Sequence, residues 1–121
     1  MTKTCQTICK QGDIFMARLE KDEKNGSLQY GTRPVVIVSN NAANKFSPII
    51  TILPITSSKT KKKIPTHVDV KDCGLSKQST ILAEQIISIS KSNLIHKMGS
   101  IKETMYENQL KKALQIQLGL N

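Results

Sequence analysis

Two runs of branched aliphatic residues set the strongest constraint on the fold of this chain. PVVIV covers residues 34–38 and PIITILPIT covers residues 48–56. Both runs have strand length, are rich in Val and Ile, and are bounded by turn-forming residues, which predicts two buried β-strands. The short, mostly polar connector 41–47 predicts that these strands pair as an antiparallel hairpin. Pro54 lies inside the second run and favours an edge strand or a bulge there.

Three further segments carry strand patterns. DIFMARL at 13–19 mixes apolar and polar residues like a half-buried strand, and THVDV at 66–70 alternates strictly. STILAEQIISI at 79–89 predicts one strand, in which Glu84 and Gln85 interrupt an aliphatic run. In a regular strand these two side chains point to opposite faces.

The end of the chain predicts a short strand followed by one helix. HKMGS at 96–100 has strand character, and Ser100 with Glu103 has the spacing of a helix capping box. Apolar residues then recur at mostly helical spacing as far as Leu118. Several short strands and one terminal helix predict a β-rich α+β protein built on a small, mostly antiparallel barrel.

Length and composition predict one domain over residues 1–121. A chain of 121 residues with 38% hydrophobic residues can bury a core without a metal or a disulfide. Within the domain we expect an N-terminal extension at 1–11, a mobile loop at 20–32 and a C-terminal helix at 101–118. The chain has no apolar stretch of membrane-spanning length and no signal-peptide pattern, so we expect a cytoplasmic protein with no membrane partner.

The charge of the chain favours a polyanionic partner. Lys and Arg total 18 against 9 Asp and Glu, a net charge of +9. Nucleic acid, an acidic protein or an anionic membrane would suit that charge, and a basic protein without such a partner is the alternative. Four lysines, three of them Lys59, Lys61 and Lys62, follow the second aliphatic run directly, where they could contact a phosphate backbone or form a solvated loop.

The sequence lacks the motifs of most enzyme classes. The remaining candidates for a functional site are polar residues at the ends of strands. There is no Gly-rich phosphate loop and no cysteine–histidine pattern for a metal, so we expect no metal ion and no cofactor. The hairpin would bring Arg33, before its first strand, towards Thr56, at the end of its second. A guanidinium beside a hydroxyl suits a phosphodiester. The alternative is that Arg33 pairs with a carboxylate and Thr56 only ends a strand.

Histidine chemistry is a second possibility in this sequence. His67 shares a strand face with Asp69, and histidine is the usual acid–base group near neutral pH. The alternative is an ordinary exposed strand histidine. Cys5, Cys9 and Cys73 lack the spacing of a zinc or redox pair, and we expect them to be structural or incidental.

Together these segments resemble the MazF/PemK (Kid) family of toxin endoribonucleases. GDIFMARL, GTRPVVIVSNNAANKFSPIITILPIT, IPTHVDV, STILAEQI and the closing helix match collinearly from about Gly12 to Leu120, closest to the MazF branch of Gram-positive bacteria. The resemblance implies an SH3-like antiparallel barrel of the CcdB/PemK type with a C-terminal helix, working as a homodimer. It also implies metal-independent cleavage of single-stranded RNA, chiefly mRNA, at short base motifs, leaving 2′,3′-cyclic phosphate and 5′-hydroxyl ends. DNA, which lacks the 2′-hydroxyl, is expected to survive.

The resemblance also assigns roles to individual residues and a partner to the protein. Arg33, in the G-x-R-P motif, and Thr56 are the implied catalytic pair. Implied substrate-binding residues are Ser27, Gln29, Lys59, Lys61, Lys62, His67, Ser79 and Gln85. An acidic, MazE-like antitoxin is expected to fold onto the basic groove and block RNA.

The chain departs from the family pattern at two positions. Leu28 stands where relatives often carry an acidic residue in the first loop, and it cannot act as a base. Ile87 stands where relatives often carry an arginine after E-Q-I. Two other functions remain open on the same scaffold: a non-catalytic toxin of the gyrase-poison type, and a barrel that binds RNA without cutting it.

Overall fold

The computed structural model describes residues 7–21, 29–57 and 64–120. Within these residues the chain forms seven strands, two α-helices and one 3-10 turn. In chain order they are β1 Asp13–Leu19, β2 Gly31–Ile37, α1 Asn41–Phe46, β3 Ile49–Thr56, β4 His67–Val70, β5 Ser79–Leu82, β6 Ile87–Ser90, the 3-10 turn Lys91–Asn93, β7 Leu94–Ser100 and α2 Met105–Leu118.

The strands form one antiparallel sheet that curls until its two ends meet. The order is β4-β5-β3-β2-β1-β7, with β6 also paired to β3. The backbone of the turn after β4 packs directly against the backbone of β7. The contact requires glycine on both sides, since a Cβ on Gly99 would overlap the carbonyl of Cys73 and a Cβ on Gly74 would overlap that of Met98. The β-rich α+β fold with an antiparallel barrel and a C-terminal helix is therefore confirmed.

Each face of the sheet buries its own apolar cluster, because successive strand residues point to opposite sides. On the helix face, Val36, Leu53 and Ile55 pack with Leu110 and Ala113 of α2. On the other, which we call the inner face, the side chains form a second cluster: Cys9, Phe15, Ala17, Leu19, Val35, Ile37, Ile50, Ile52, Ile89 and Leu94. Cys9 thus belongs to the core, although it lies in the predicted N-terminal extension.

Residues 79–89 form two strands, which corrects the prediction of one. β5 pairs with the end of β3 at Thr56 and β6 pairs with its beginning, and residues 83–86 turn away from the sheet between them. The Thr51 carbonyl accepts a hydrogen bond from Val38, the residue that follows β2. The nitrogen of Pro54, three residues farther along β3, therefore faces the opposite side, where the turn between β5 and β6 interrupts the ladder. Pro54 therefore lies inside an interior strand, not in an edge strand.

Helix α2 begins four residues later than the capping box at Ser100 predicts. The N-cap is Thr104, whose hydroxyl accepts from the Tyr106 N–H, while the Glu107 carboxylate accepts from the Glu103 N–H. Ser100 instead ends β7, opposite Asp13. Neither helix in the described part of the chain has the length and apolar composition needed to span a bilayer.

Candidate active site

Strand register brings a row of polar residues together at one end of the inner face. In the β2–β3 ladder Val35 lies opposite Pro54, and continuing that register by two residues places Arg33 opposite Thr56. Arg33 also lies opposite Ala17 of β1, which belongs to the inner-face cluster. Directly opposed residues share a face, so Arg33 and Thr56 both lie on the inner face, where the hairpin ends.

The row continues beyond Thr56 onto two more strands. Thr80 of β5 lies opposite Thr56, and Asp69 of β4 lies opposite Thr80. The Thr80 hydroxyl donates to Asp69 Oδ1 over 3.0 Å. Thr56 and Thr80 are 5% and 8% exposed, so these hydroxyls are held in a largely desolvated environment where a hydrogen bond to a ligand is strong.

Arg33 is fixed through one edge of its guanidinium. Its Nε donates to the carbonyl oxygen of Tyr30 over 2.8 Å, and the side chain is half-buried. In the described part of the chain, no carboxylate forms an ion pair with Arg33 and no residue accepts from its two terminal amino groups. Those amino groups can donate to two oxygens of one phosphate.

Three further hydrogen bonds link the first loop and the start of β4 to the turn between β5 and β6. The backbone N–H of Gln29 donates to Gln85 Oε1 over 3.0 Å, which ties the chain just before β2 to that turn. His67 Nε2 lies 3.0 Å from Glu84 Oε2, and Thr66 donates to the other oxygen of Glu84 over 3.1 Å.

The His67 side chain is only 11% exposed, so the alternative of an ordinary exposed strand histidine is wrong. Glu84 and Gln85 lie in the turn and not in a strand, so the expectation that they point to opposite faces of a strand is also wrong.

The other predicted site residues divide into two groups. Ser79 is buried, donates to the Lys77 carbonyl and lies two residues before Ile81 of the helix-face cluster, so the structure does not bring it to the row. The remaining residues lie outside the described part of the chain: Ser27, Lys59, Lys61 and Lys62.

Three residues of this region were not among the site residues predicted from the sequence: Glu84, Thr80 and Asp69. Glu84 had a visible signal, since a carboxylate that interrupts an aliphatic run needs a partner when the run is buried. Asp69 had a partial signal, since it shares a strand face with His67, and Thr80 had none; only the pairing of β3 with β5 and of β5 with β4 places them beside Thr56.

The described cysteines do not contribute a reactive group. Cys9 and Cys73 are free thiols, and desolvation by burial raises the pKa of both above the ordinary value of 9.0. A raised pKa keeps a thiol protonated and weakly nucleophilic near neutral pH. Among the described residues, no three His, Cys, Asp or Glu side chains converge as metal ligands would.

Comparison with known proteins gives matches over almost the whole chain. The sequence model of the PemK-like, MazF-like toxins of type II toxin–antitoxin systems matches residues 10–118. The chain is 41% identical over 116 residues to the Endoribonuclease MazF of Staphylococcus epidermidis, and the match covers 94% of each protein.

Solved structures share the fold over almost the whole chain. A mycobacterial endoribonuclease, solved in complex with its cognate antitoxin, superposes with a TM-score of 0.74 at 25% identity and covers 93% of this chain and 97% of its own. MazF from Deinococcus radiodurans gives a TM-score of 0.75 at 20% identity, over 94% and 99% of the two chains.

Proposed function

Since the chain belongs to the PemK-like, MazF-like toxin family of type II toxin–antitoxin systems, we propose that its inner-face row is the site of RNA cleavage. The protein is an endoribonuclease toxin. In our proposal it cuts single-stranded RNA, chiefly mRNA, at short base motifs without a metal ion. Cleavage leaves a 2′,3′-cyclic phosphate and a 5′-hydroxyl, and the loss of mRNA stops translation and growth.

The observation that carries this proposal is the β2–β3 register, with Val35 opposite Pro54, which brings Arg33 and Thr56 to the same end of the hairpin when it is continued by two residues. In the reaction the ribose 2′-oxygen attacks the adjacent phosphorus, the bond from phosphorus to the 5′-oxygen breaks, and the 2′-hydroxyl proton is lost while the leaving oxygen gains one. The terminal amino groups of Arg33 stabilise the negative charge that grows on the phosphorane, and Thr56 orients the phosphate or the 2′-hydroxyl. DNA lacks the attacking group and is not cleaved.

We also propose that the toxin is a cytoplasmic homodimer which an acidic antitoxin inhibits. The net charge of +9 suits an acidic partner, and the structurally similar mycobacterial endoribonuclease was solved with its antitoxin. Large apolar side chains remain uncovered in the described chain, such as Ile8 at 82% and Phe46 at 77% exposure, and a protein partner would bury such groups.

Incubation of the purified protein with a long transcript in EDTA tests this function. The wild type is expected to cut the RNA at a few sites, and the Arg33→Ala variant is expected to leave it intact while still binding antitoxin and forming dimers. Primer extension and end-group analysis identify the sites and the cyclic phosphate. Intact RNA with the wild type, even at low salt, would favour a gyrase-poison toxin or an RNA-binding barrel. Loss of folding in Arg33→Ala would mean that this arginine is structural.

A further inference from the structure

One exposed aromatic ring lies at the end of the barrel that carries the row. The chain has two tyrosines, two phenylalanines and no tryptophan, and all of these aromatic residues lie in the described part of the chain. Phe15 is buried in the inner-face cluster, Tyr106 packs on the helix face, and Phe46 ends α1, at the opposite end of the β2–β3 hairpin. Tyr30 directly precedes β2 and is 44% exposed. It is therefore the aromatic side chain that a ligand in the row can reach.

The backbone of Tyr30 connects this ring to the arginine of the row. Its carbonyl oxygen accepts from Arg33 Nε over 2.8 Å, so the guanidinium and the ring are separated by little more than the length of one tyrosine side chain. The N–H of the preceding residue, Gln29, donates to Gln85 Oε1 over 3.0 Å, which holds the same backbone segment in place. In RNA every base is attached to a ribose that lies between two phosphates. A phosphate bound by Arg33 therefore has a neighbouring base within reach of Tyr30.

A lysine covers one side of the ring and limits its motion. Lys21 Nζ lies 5.3 Å from the centroid of the Tyr30 ring, within the range of about 6 Å for a cation–π contact. Because Lys21 lies two residues after the end of β1, this contact joins the end of β1 to the start of β2. An exposed ring that is already oriented loses little conformational entropy when a flat ligand stacks on it. The ammonium group adds positive charge next to the ring, where it attracts a phosphate backbone.

We propose that Tyr30 is a positioning residue whose ring stacks on a base next to the scissile phosphate. Stacking on an aromatic side chain tolerates any base, because every base has a π-face. The stacked base holds the RNA chain on one side of the linkage while Arg33 binds the phosphate, and this restricts the ribose to orientations from which its 2′-oxygen can attack. The inference rests on the proposed cleavage of RNA. It adds a contact that depends on the presence of a base and not on its identity.

The test removes one base at a time from the RNA. Short RNA substrates with one cleavage site carry an abasic ribonucleotide, which keeps the phosphate and the 2′-hydroxyl, at each position in turn, and kcat/KM is measured for each substrate. Tyr30→Leu keeps an apolar side chain but lacks the ring, and it is expected to cut the intact RNA about tenfold more slowly than the wild type, the scale of one stacked base. At one position beside the scissile linkage, removal of the base is expected to slow the wild type by a further factor of about ten relative to its effect on Tyr30→Leu.

Matched variants separate stacking from a general effect on folding. Tyr30→Phe and Tyr30→Trp keep an aromatic ring and are expected to show the wild-type sensitivity to base removal at that position. Tyr106→Leu changes the other tyrosine, on α2, and is expected to keep that sensitivity as well, whatever its effect on stability. The ratio of the wild-type rate to the Tyr30→Leu rate is expected to be similar with adenine, cytosine, guanine or uracil at that position, since stacking does not depend on the identity of the base.

The outcomes distinguish this inference from the function on which it rests. A wild type that cuts no RNA would overturn the proposed function. If Tyr30→Leu is slower than the wild type by the same factor on the intact RNA and on every abasic RNA, then Tyr30 supports only the fold or the orientation of Arg33, and the stacking role is wrong. Equal rates for Tyr30→Leu and the wild type would also overturn it. Both of these results would leave the endoribonuclease activity intact.

Discussion

A single hydrogen bond determines how Arg33 can meet a phosphate. Its Nε is engaged by the carbonyl of Tyr30, so the side chain is oriented while both terminal amino groups keep their donors. Because the Arg33 side chain is oriented before a ligand binds, it loses less conformational entropy on binding. The desolvated hydroxyl of Thr56 adds a fixed dipole at the same end of the hairpin. The catalytic role that we propose for Arg33 and Thr56 comes from their placement, since neither side chain is unusual by itself.

The hydroxyl of Thr56 can be removed with little change in shape. Thr56→Val replaces it by a methyl group in a buried position, and we expect cleavage to slow on the order of 100-fold, the cost of one lost donor at a developing charge. Thr56→Ser keeps the hydroxyl and is expected to retain most activity. Single-turnover cleavage with saturating protein measures the effect, and thermal unfolding checks that both variants fold. Equal rates for Thr56→Val and the wild type would remove Thr56 from the chemistry.

Helix α2 depends on local bonds at both ends as well as on its packing. Thr104 caps the first turn, and Gly119, with φ of 67°, ends the helix in a left-handed turn that satisfies the last carbonyl groups. The pKa of Glu107 is lowered, first by the N–H of Glu103 and then by Lys102, so the ionised carboxylate stabilises the start of the helix. The helix face of the sheet is covered as a result, whereas the proposed RNA site lies at one end of the inner face.

Removal of the α2 cap is expected to destabilise the whole domain. Thr104→Ala leaves the Tyr106 N–H without its acceptor, and such changes cost about 1 kcal/mol of unfolding free energy. Thr104→Ser keeps the acceptor and serves as the control. Urea unfolding followed by circular dichroism measures both. A Thr104→Ala protein as stable as the wild type would show that the helix start is held by packing alone.

At the scale of the molecule, charge and topology converge on one end of the barrel. The chain leaves β3 at Thr56 and enters the lysine-rich segment that precedes β4, while the β1–β2 connection leads into Arg33. Residues 57–77 contain six lysines against two aspartates. We propose that the lysines which follow Thr56 in the sequence attract RNA and an acidic antitoxin alike, so that the two ligands compete.

The salt dependence of RNA binding tests this arrangement. In an Arg33→Ala background that does not cut, Lys62→Ala is expected to weaken RNA binding mildly and to reduce the slope of log K against log salt by about 0.7, the loss of one phosphate contact. Lys112→Ala, on α2 at the opposite face, is expected to leave the slope unchanged. Fluorescence anisotropy at several salt concentrations measures the slopes. An unchanged slope for Lys62→Ala would exclude its segment from the RNA contact.

Local sequence determined the strands and the hairpin that carries the proposed catalytic pair. β1 begins and ends as predicted, and β2 and β3 follow their aliphatic runs, because apolar residues bounded by turn formers specify strands within a few residues. A short connector then restricts how β2 and β3 can pair, so the expected approach of Arg33 to Thr56 needed only neighbouring segments.

Tertiary structure decided the features that depend on contacts between residues distant in the sequence. Ser100-x-x-Glu103 and Thr104-x-x-Glu107 both fit a capping box, and the pairing of Ser100 with Asp13 in β1, almost 90 residues away, keeps Ser100 in a strand. Residues 79–89 became two strands because different parts of β3 pair with each half. Thr80 and Asp69 likewise reach the site only through ladders between separate strands, and Glu84 meets His67 from the turn between β5 and β6. Apolar periodicity indicates which residues of one segment are buried. A site assembled from several strands depends in addition on the pairing register between those strands, and only the closed barrel fixes that register.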